Sequence, residues 1–215
     1  MTKSLTTIIA NVQALLLDDG TRFSTATVTA AVREALKEFN QHAPIFAGTL
    51  VDVVSGDKEY VLNASDFAKL IDVHSVLKQA TDDDHTELTH DVYFEDAVPV
   101  IHLREAQSSG FLIVRYTIPY TVNGLDSEVE STLPAFFDDV LIDGACFWSA
   151  QIRSAGRIET INLNQGVAEN WLDVRRYFRL AFDVGLVQAA RRRAPVSEPS
   201  TAAWNDKFVT TTWKV

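Results

Sequence analysis

Cysteine is nearly absent from the chain, which contains only Cys146. A single cysteine excludes an intrachain disulfide, and its apolar neighbours Ala145 and Phe147 indicate a small buried hydrophobic residue. A free thiol of this kind is compatible with a reducing compartment. We therefore expect a chain that is made in the cytoplasm.

Long apolar runs are also missing. No segment approaches the roughly 20 apolar residues that a membrane-spanning helix needs. The first segment, MTKSLTTIIANVQALLLDDG, is too polar for a secretory signal, and its apolar runs are too short. We therefore expect a soluble protein with no membrane contact. Since 47% of the residues are hydrophobic and 22% are charged, the sequence predicts a packed core and not a disordered chain.

Basic residues are fewer than acidic ones. The chain has 19 Lys and Arg residues and 29 Asp and Glu residues, so its formal net charge is -10. A free nucleic-acid-binding domain is usually basic, so this balance argues against one. Eight arginines nevertheless fall within the 41 residues from 153 to 193. They either pair with nearby carboxylates and offset a helix dipole, or bind an acidic partner surface or DNA phosphates.

Signatures of catalysis are missing as well. The chain has no glycine-rich phosphate loop, no paired CxxC, no HExxH and no GxSxG element. His85 and His90 lie near the acidic run 82–84, but their spacing matches no zinc or calcium ligand set. Asp139 and Asp143 share a helix face that is more typical of a solvated or interface surface than of acid–base chemistry. We expect no catalytic, cofactor-binding or metal-binding residues, and no enzyme.

Apolar residues recur at helical spacing in four segments, which are residues 5–17, 25–43, 134–155 and 162–193. Ser24 or Thr25 is predicted to cap the second helix, and Thr132 to cap the third. These segments predict an α-helical bundle core over residues 5–44 and 132–194.

Strand patterns replace the helical spacing over residues 45–122, which we interpret as a small inserted antiparallel β unit. Ile71, Val73, Ser75 and Leu77 alternate with more polar residues, and the acidic run 82–84 is predicted as an exposed loop. The sequence thus predicts an α+β fold of about four helices with a β insertion and an extended C-terminal arm, residues 195–215.

The segment Asn162–Arg193 is apolar on more than one helical face. Its main stripe contains Trp171, Val174, Phe178, Ala181 and Gly185, while the apolar residues outside this stripe are Leu172, Leu180, Val184 and Val187. A helix that is apolar on two faces has to be buried on two faces. In a chain of 215 residues this predicts a neighbouring subunit, with core and subunit packing assigned to Trp171, Phe178 and Phe182.

The arm that follows Pro195 is rich in Ser, Thr and Pro, yet it carries Trp204, Phe208 and Trp213. It either packs on its own domain or inserts into a partner, since tryptophan is common at interface hot spots. The stretch 210–213 has β character and could add a strand to another chain's sheet edge.

The order of these elements resembles the head-to-tail adaptor, or neck, proteins of tailed bacteriophages. The likeness rests on a short helix ending in LLDDG, the phrase AVREALKEF, a β insertion, the strand FLIVRYTIPY, the phrase STLPAFFDDVLIDGACFWSAQ and a long final helix. It covers roughly residues 5–194 and implies a single adaptor domain, residues 1–194, followed by the arm.

In that family the helical core forms a ring, typically dodecameric, that docks beneath the portal of the DNA-filled head. The ring receives tail or tail-completion proteins, and DNA passes through its lumen without specific binding. The resemblance therefore implies a structural protein of the virion neck whose partners are further copies of itself, the portal and the tail. An acidic chain suits such a conduit because like charge repels DNA. Partner binding is expected at Arg191, Arg192, Arg193, Trp204, Phe208 and Trp213.

Three other interpretations stay open. Another virion neck or tail-completion component, or a non-viral assembly module, would show the same features. An enzyme would need residues 82–91 to fold into a pocket. A DNA-binding regulator would show salt-dependent affinity for duplex DNA, against which the net charge argues.

Overall fold

The computed structural model describes residues 3–18, 22–62, 69–81, 84–96, 98–155 and 165–193. The chain divides into two compact units. The helical unit comprises the described residues of Met1–Ala43 and Tyr120–Ala194, and the β unit those of Pro44–Pro119. The predicted α+β class, with a β unit inserted between helices, is confirmed.

The β unit ends at Pro119, and the helical unit resumes at Tyr120. The sequence predicted that the β insertion would end at residue 122. The buried side chain of Asn40 accounts for the boundary at Tyr120. Its Oδ1 accepts a hydrogen bond from the Tyr120 amide at 2.7 Å, and its Nδ2 donates to the Tyr120 carbonyl at 3.1 Å. One amide side chain thus satisfies both backbone groups of Tyr120, which have no access to water.

The described residues form four α-helices: α1 (Leu5–Leu15), α2 (Thr25–His42), α3 (Asp138–Ala155) and α4 (Gln165–Arg193). Serine side chains cap the first two. Ser4 Oγ accepts from the Thr7 amide at 3.5 Å and Ser24 Oγ from the Thr27 amide at 3.2 Å, which confirms Ser24 as the cap of α2. Helix α2 ends just before Pro44, which disfavours helical geometry in the residue that precedes it.

Helix α3 begins later than the sequence predicted. Residues Ala135–Phe137 form a 3-10 turn, and the α-helix starts at Asp138. The predicted cap, Thr132, is wrong. Its Oγ1 instead accepts a hydrogen bond from the Thr121 amide at 2.8 Å, and this contact holds the segment that leads into the turn.

Helices α3 and α4 pack closely because each places a glycine opposite a side chain of the other. A Cβ added to Gly144 would lie 2.7 Å from Cε2 of Phe182, and one added to Gly185 would lie 2.6 Å from Cγ1 of Val140. Both distances are far shorter than van der Waals contact. The glycines therefore set the distance between the two helices.

Seven strands are described in the β unit: β1 (Ile45–Asp52), β2 (Glu59–Val61), β3 (Asp72–Thr81), β4 (Asp84–Leu88), β5 (His90–Glu95), β6 (Val98–Leu103) and β7 (Phe111–Ile118). They form a four-stranded sheet in the order β1-β7-β3-β4 and a three-stranded sheet in the order β2-β6-β5. Every pairing is antiparallel. Residues from both sheets share one apolar core, among them Tyr60, Ile101, Leu103, Val76, Leu112 and Val114.

Two strand predictions are corrected. The register of β3 against β7 shifts between Val73 and Ser75, so that Val73 and Val76 are both buried and the predicted alternation fails. A bulge inserts one extra residue and so exchanges the two faces beyond it. Asp84, predicted in a loop, begins β4 and pairs with Thr81, while Asp82 and Asp83 lie outside the described residues.

Candidate interaction surface

One face of α4 is apolar and exposed. Tyr177, Leu180, Val184 and Val187 have exposed fractions of 67%, 67%, 49% and 51%. Residues three and four positions apart are neighbours on a helix, so these side chains form a continuous line, which we call the α4 stripe. Several exposed apolar side chains in one line mark an interaction surface more strongly than isolated ones do.

The opposite face of α4 belongs to the core of the helical unit. Phe178 and Phe182 have exposed fractions of only 8% and 0% within the single chain. They supply the core packing that was predicted for them, but the face that another subunit can reach is the α4 stripe. Trp171 lies in α4, and its side chain is outside the described part of the structure.

Arg179 fixes the rotation of α4 against α2. Its Nη2 lies 2.7 Å from Oε1 of Glu38 and 2.8 Å from Oδ1 of Asp183, and its guanidinium lies 5.1 Å from the centre of the Phe147 ring. Trp148 Nε1 donates to the second oxygen of Glu38 at 3.3 Å. The hydrogen bond to Glu38 is the main reason that the pKa of Arg179 is raised above its ordinary value.

An open groove flanks this contact on the outer side of α3 and α4. It is lined by two aromatic rings, two further arginines and polar and apolar groups, including Phe147, Trp148, Gln151, Arg175, Arg176 and Leu180. Arg175 Nη1 donates to Gln151 Oε1 at 2.8 Å, and Arg176 lies 3.8 Å from Asp173. Arg176 and Arg179 thus pair with carboxylates of α4. This agrees with the interpretation that arginines of the cluster pair with nearby acidic residues.

A second groove is mostly apolar and lies between the end of α1 and the first described part of α4. Leu15, Leu16 and Leu17 line one side, and Val174 and Tyr177 line the other. Leu17 has a positive φ of 50° and is 90% exposed. A leucine held in left-handed geometry and in water extends the apolar surface at one end of the α4 stripe.

The predicted partner-binding residues are only partly described. Arg191 and Arg192 are exposed at the end of α4, and the Arg192 guanidinium lies 5.5 Å from the centre of the Phe136 ring. The Arg193 side chain lies outside the described residues, as do Trp204, Phe208 and Trp213.

Burial perturbs two ionisable groups of α3. Burial raises the pKa of the Asp143 carboxyl, and the charge of Asp139 raises it further. Burial, with a smaller effect of Asp143, raises the pKa of the Cys146 thiol well above its ordinary value. The nucleophilic form of cysteine is the thiolate, so a buried thiol of this kind is inert.

The two histidines next to the acidic run lie on different strands, His85 on β4 and His90 on β5. His90 Nδ1 lies 3.1 Å from the Leu88 carbonyl. Across the part of the chain that the structure describes, no three His, Cys, Asp or Glu side chains come close enough together to hold a metal ion.

Comparisons with known proteins assign no family: no protein-family model matches the chain, and no curated protein matches it. Among the described helices, none is both long enough and apolar enough to cross a membrane.

Proposed function

We propose that this protein is a structural, non-enzymatic connector of a tailed-phage virion. Copies of the chain form a ring that joins the portal of the DNA-filled head to the tail, and DNA passes through the lumen. The observation that carries the proposal is the α4 stripe, an apolar line of four side chains left exposed on the longest of the described helices. An exposed apolar surface of this kind is typical of a site that binds another protein.

The likeness of the element order to neck proteins supports the choice of partner. Short helices, an inserted β unit and a long final helix follow one another as they do in that family. Further copies of the chain bury the apolar surface of α4 in the ring, and head-to-tail contacts close it. The net charge of -10 keeps DNA from adhering to the lumen.

Docking on the portal is assigned to the end of α4 and to the arm that follows it. Arg191 and Arg192 are exposed there and present cations to an acidic partner surface. Trp204, Phe208 and Trp213 of the arm supply apolar anchors, and Arg193 lies between the two groups in sequence. The protein is made in the host cytoplasm and works in the virion neck.

The proposal is tested by sedimenting the full chain with the portal of the same virion. We expect the wild-type protein to sediment with the portal as a ring, and Leu180→Asp to lose this ability because a charge enters the α4 stripe. Val129→Asp is the matched control, since Val129 is 82% exposed in a loop of the helical unit. Equal binding by Leu180→Asp and the wild type would remove the observation on which the proposal rests.

A separate variant that ends at Ala194 tests the arm. Loss of portal binding with retention of the helical fold is expected. If this variant docks as well as the full chain, the anchoring role of Trp204, Phe208 and Trp213 is wrong. Binding to a tail component, with none to the portal, would instead place the protein elsewhere in the neck.

A further inference from the structure

The α4 stripe has the spacing of a coiled-coil seam. Tyr177, Leu180, Val184 and Val187 are separated by three, four and three residues, which is the a/d pattern of a heptad repeat. Side chains spaced in this way interlock with a second helix that runs nearly along the first. The geometry therefore selects a helix as the partner of this surface.

The two ends of the seam carry opposite charges. Asp173 lies four residues before Tyr177, and Arg191 lies four residues after Val187, so both continue the same line. Both side chains are exposed, and the only ion pair of Asp173 among the described residues is a long one of 3.8 Å to Arg176. The line thus has an acidic residue at one end, four apolar residues in the middle and a basic residue at the other end.

A second copy of α4 in the antiparallel direction complements this line at every position. When Leu180 of one copy faces Val184 of the other, Tyr177 faces Val187 and Asp173 faces Arg191. Antiparallel seams pair a positions with d positions, and each of these contacts does so. Both ends then form an Asp173–Arg191 pair, whereas a parallel copy would place like charges together.

The other described parts of the helical unit offer no comparable partner. Its other large apolar residues that are described as exposed are Leu15, Leu17, Val129, Phe136, Ile152 and Leu172. None of α1, α2 and α3 presents a line of them along its described length. We propose that the free protein forms a twofold dimer through antiparallel pairing of the α4 stripe with a second copy of itself.

Such a dimer is distinct from the proposed ring. A twofold contact uses the same surface of both copies and is complete within one pair. It therefore cannot link further copies into a cyclic ring. The seam spans only two heptads, and interfaces that bury less than about 1,200 Å² are weak and transient. The dimer therefore covers the α4 stripe reversibly and has to dissociate before that surface meets any other partner. The dimer is expected whether or not the chain binds a portal or forms a ring.

Sedimentation equilibrium of the full chain, without any partner, measures the dimer. We expect Asp173→Arg alone and Arg191→Asp alone each to raise the dissociation constant about tenfold, because both end pairs become repulsive. An equimolar mixture of the two single variants, and the double variant, should each regain the wild-type constant. Leu180→Asp should weaken the dimer about a hundredfold, with Val129→Asp as the unaffected control.

Disulfide trapping tests the direction of the helices. A mixture of Leu180→Cys and Val184→Cys chains, both in a Cys146→Ala background, should form the mixed disulfide in preference to either homodisulfide, since bridged Cβ atoms must lie close together. A strictly monomeric wild-type protein would overturn the proposal. So would a dimer that Leu180→Asp leaves intact, a preferred 180–180 bridge, or a closed ring in the absence of partner.

Discussion

Phe182 occupies the space that Gly144 leaves free, because a Cβ atom at position 144 would lie 2.7 Å from Cε2 of the Phe182 ring. Phe182 is fully buried, so the ring has nowhere to move without disturbing its neighbours. This contact sets how deeply α4 packs on α3. Together with the contact between Arg179 and Glu38, it holds Phe182 inward and leaves the α4 stripe facing outward.

We expect Gly144→Ala to destabilise the helical unit by up to about 2 kcal/mol. Overpacking a core costs about 1–3 kcal/mol, and replacing glycine by alanine in a helix returns about 1 kcal/mol. Denaturant unfolding measures the change. Combining Gly144→Ala with Phe182→Leu should show a coupling that offsets part of the loss, and strict additivity of the two substitutions would argue against this contact.

The contact between Arg179 and Glu38 gives a second prediction. Arg179→Ala should cost about 1 kcal/mol of stability, since the side chain is 37% exposed and solvent screens the pair. A double-mutant cycle with Glu38→Gln should give a coupling of about 0.5–1 kcal/mol. Arg179→Lys should recover only part of the loss because lysine cannot reach Glu38 and Asp183 with one planar group. Zero coupling would mean that α4 is held by packing alone.

Removal of the buried amide of Asn40 should lower the free energy of unfolding. Asn40→Ala would remove the two buried hydrogen bonds that the side chain makes to the Tyr120 backbone, and each typical intramolecular hydrogen bond contributes about 0.5–1.5 kcal/mol. We expect a total loss of about 2 kcal/mol in the unfolding free energy. Gln41→Ala, one position along on the exposed side of α2, is the control and should change stability by less than about 0.5 kcal/mol. Equal effects of the two substitutions would contradict the assignment.

Asp143 should make stability fall as pH rises. Its pKa is raised in the folded protein, so the folded state binds the proton more tightly than the unfolded state does. The cost of charging it is absent below the ordinary value of 3.8 and develops fully once pH exceeds the raised pKa. Asp143→Asn should therefore be more stable than the wild type at neutral pH, with no difference below 3.8.

Asp126 should have the opposite effect on how stability depends on pH. Arg33 donates to it at 3.0 Å and lowers its pKa, so its contribution is present at neutral pH and disappears as pH falls through the lowered pKa. Asp126→Asn should destabilise at neutral pH. Unfolding curves for both variants across the acid range check the two signs together.

The sequence predicted the helices of this fold better than its strands. Helix α2 was predictable because its cap, Ser24, and its stop, Pro44, act on adjacent residues. The start of α3 was not, because Thr132 is engaged by the Thr121 amide, a contact that local pattern does not reveal. The bulge between Val73 and Ser75 likewise depends on the partner strand β7 and not on β3 itself.

The candidate surface was visible in the sequence in part. Leu180, Val184 and Val187 stood out as apolar residues beyond the main stripe of α4. Tyr177 was missed because a tyrosine reads equally well as a polar surface residue, although the three-and-four spacing would have found it. Phe182 lies in the core because Gly144 of α3 lies opposite it. The sequence of α4 alone does not show this contact between two helices.

Electron microscopy of the purified portal after incubation with the full chain tests the connector most directly. We expect closed rings of this protein that lie coaxially on one end of the portal. The Leu180→Asp variant should leave the portal bare under the same conditions, while Val129→Asp should form rings. Portals that remain bare with the wild-type chain, even in large excess, would contradict the proposed function.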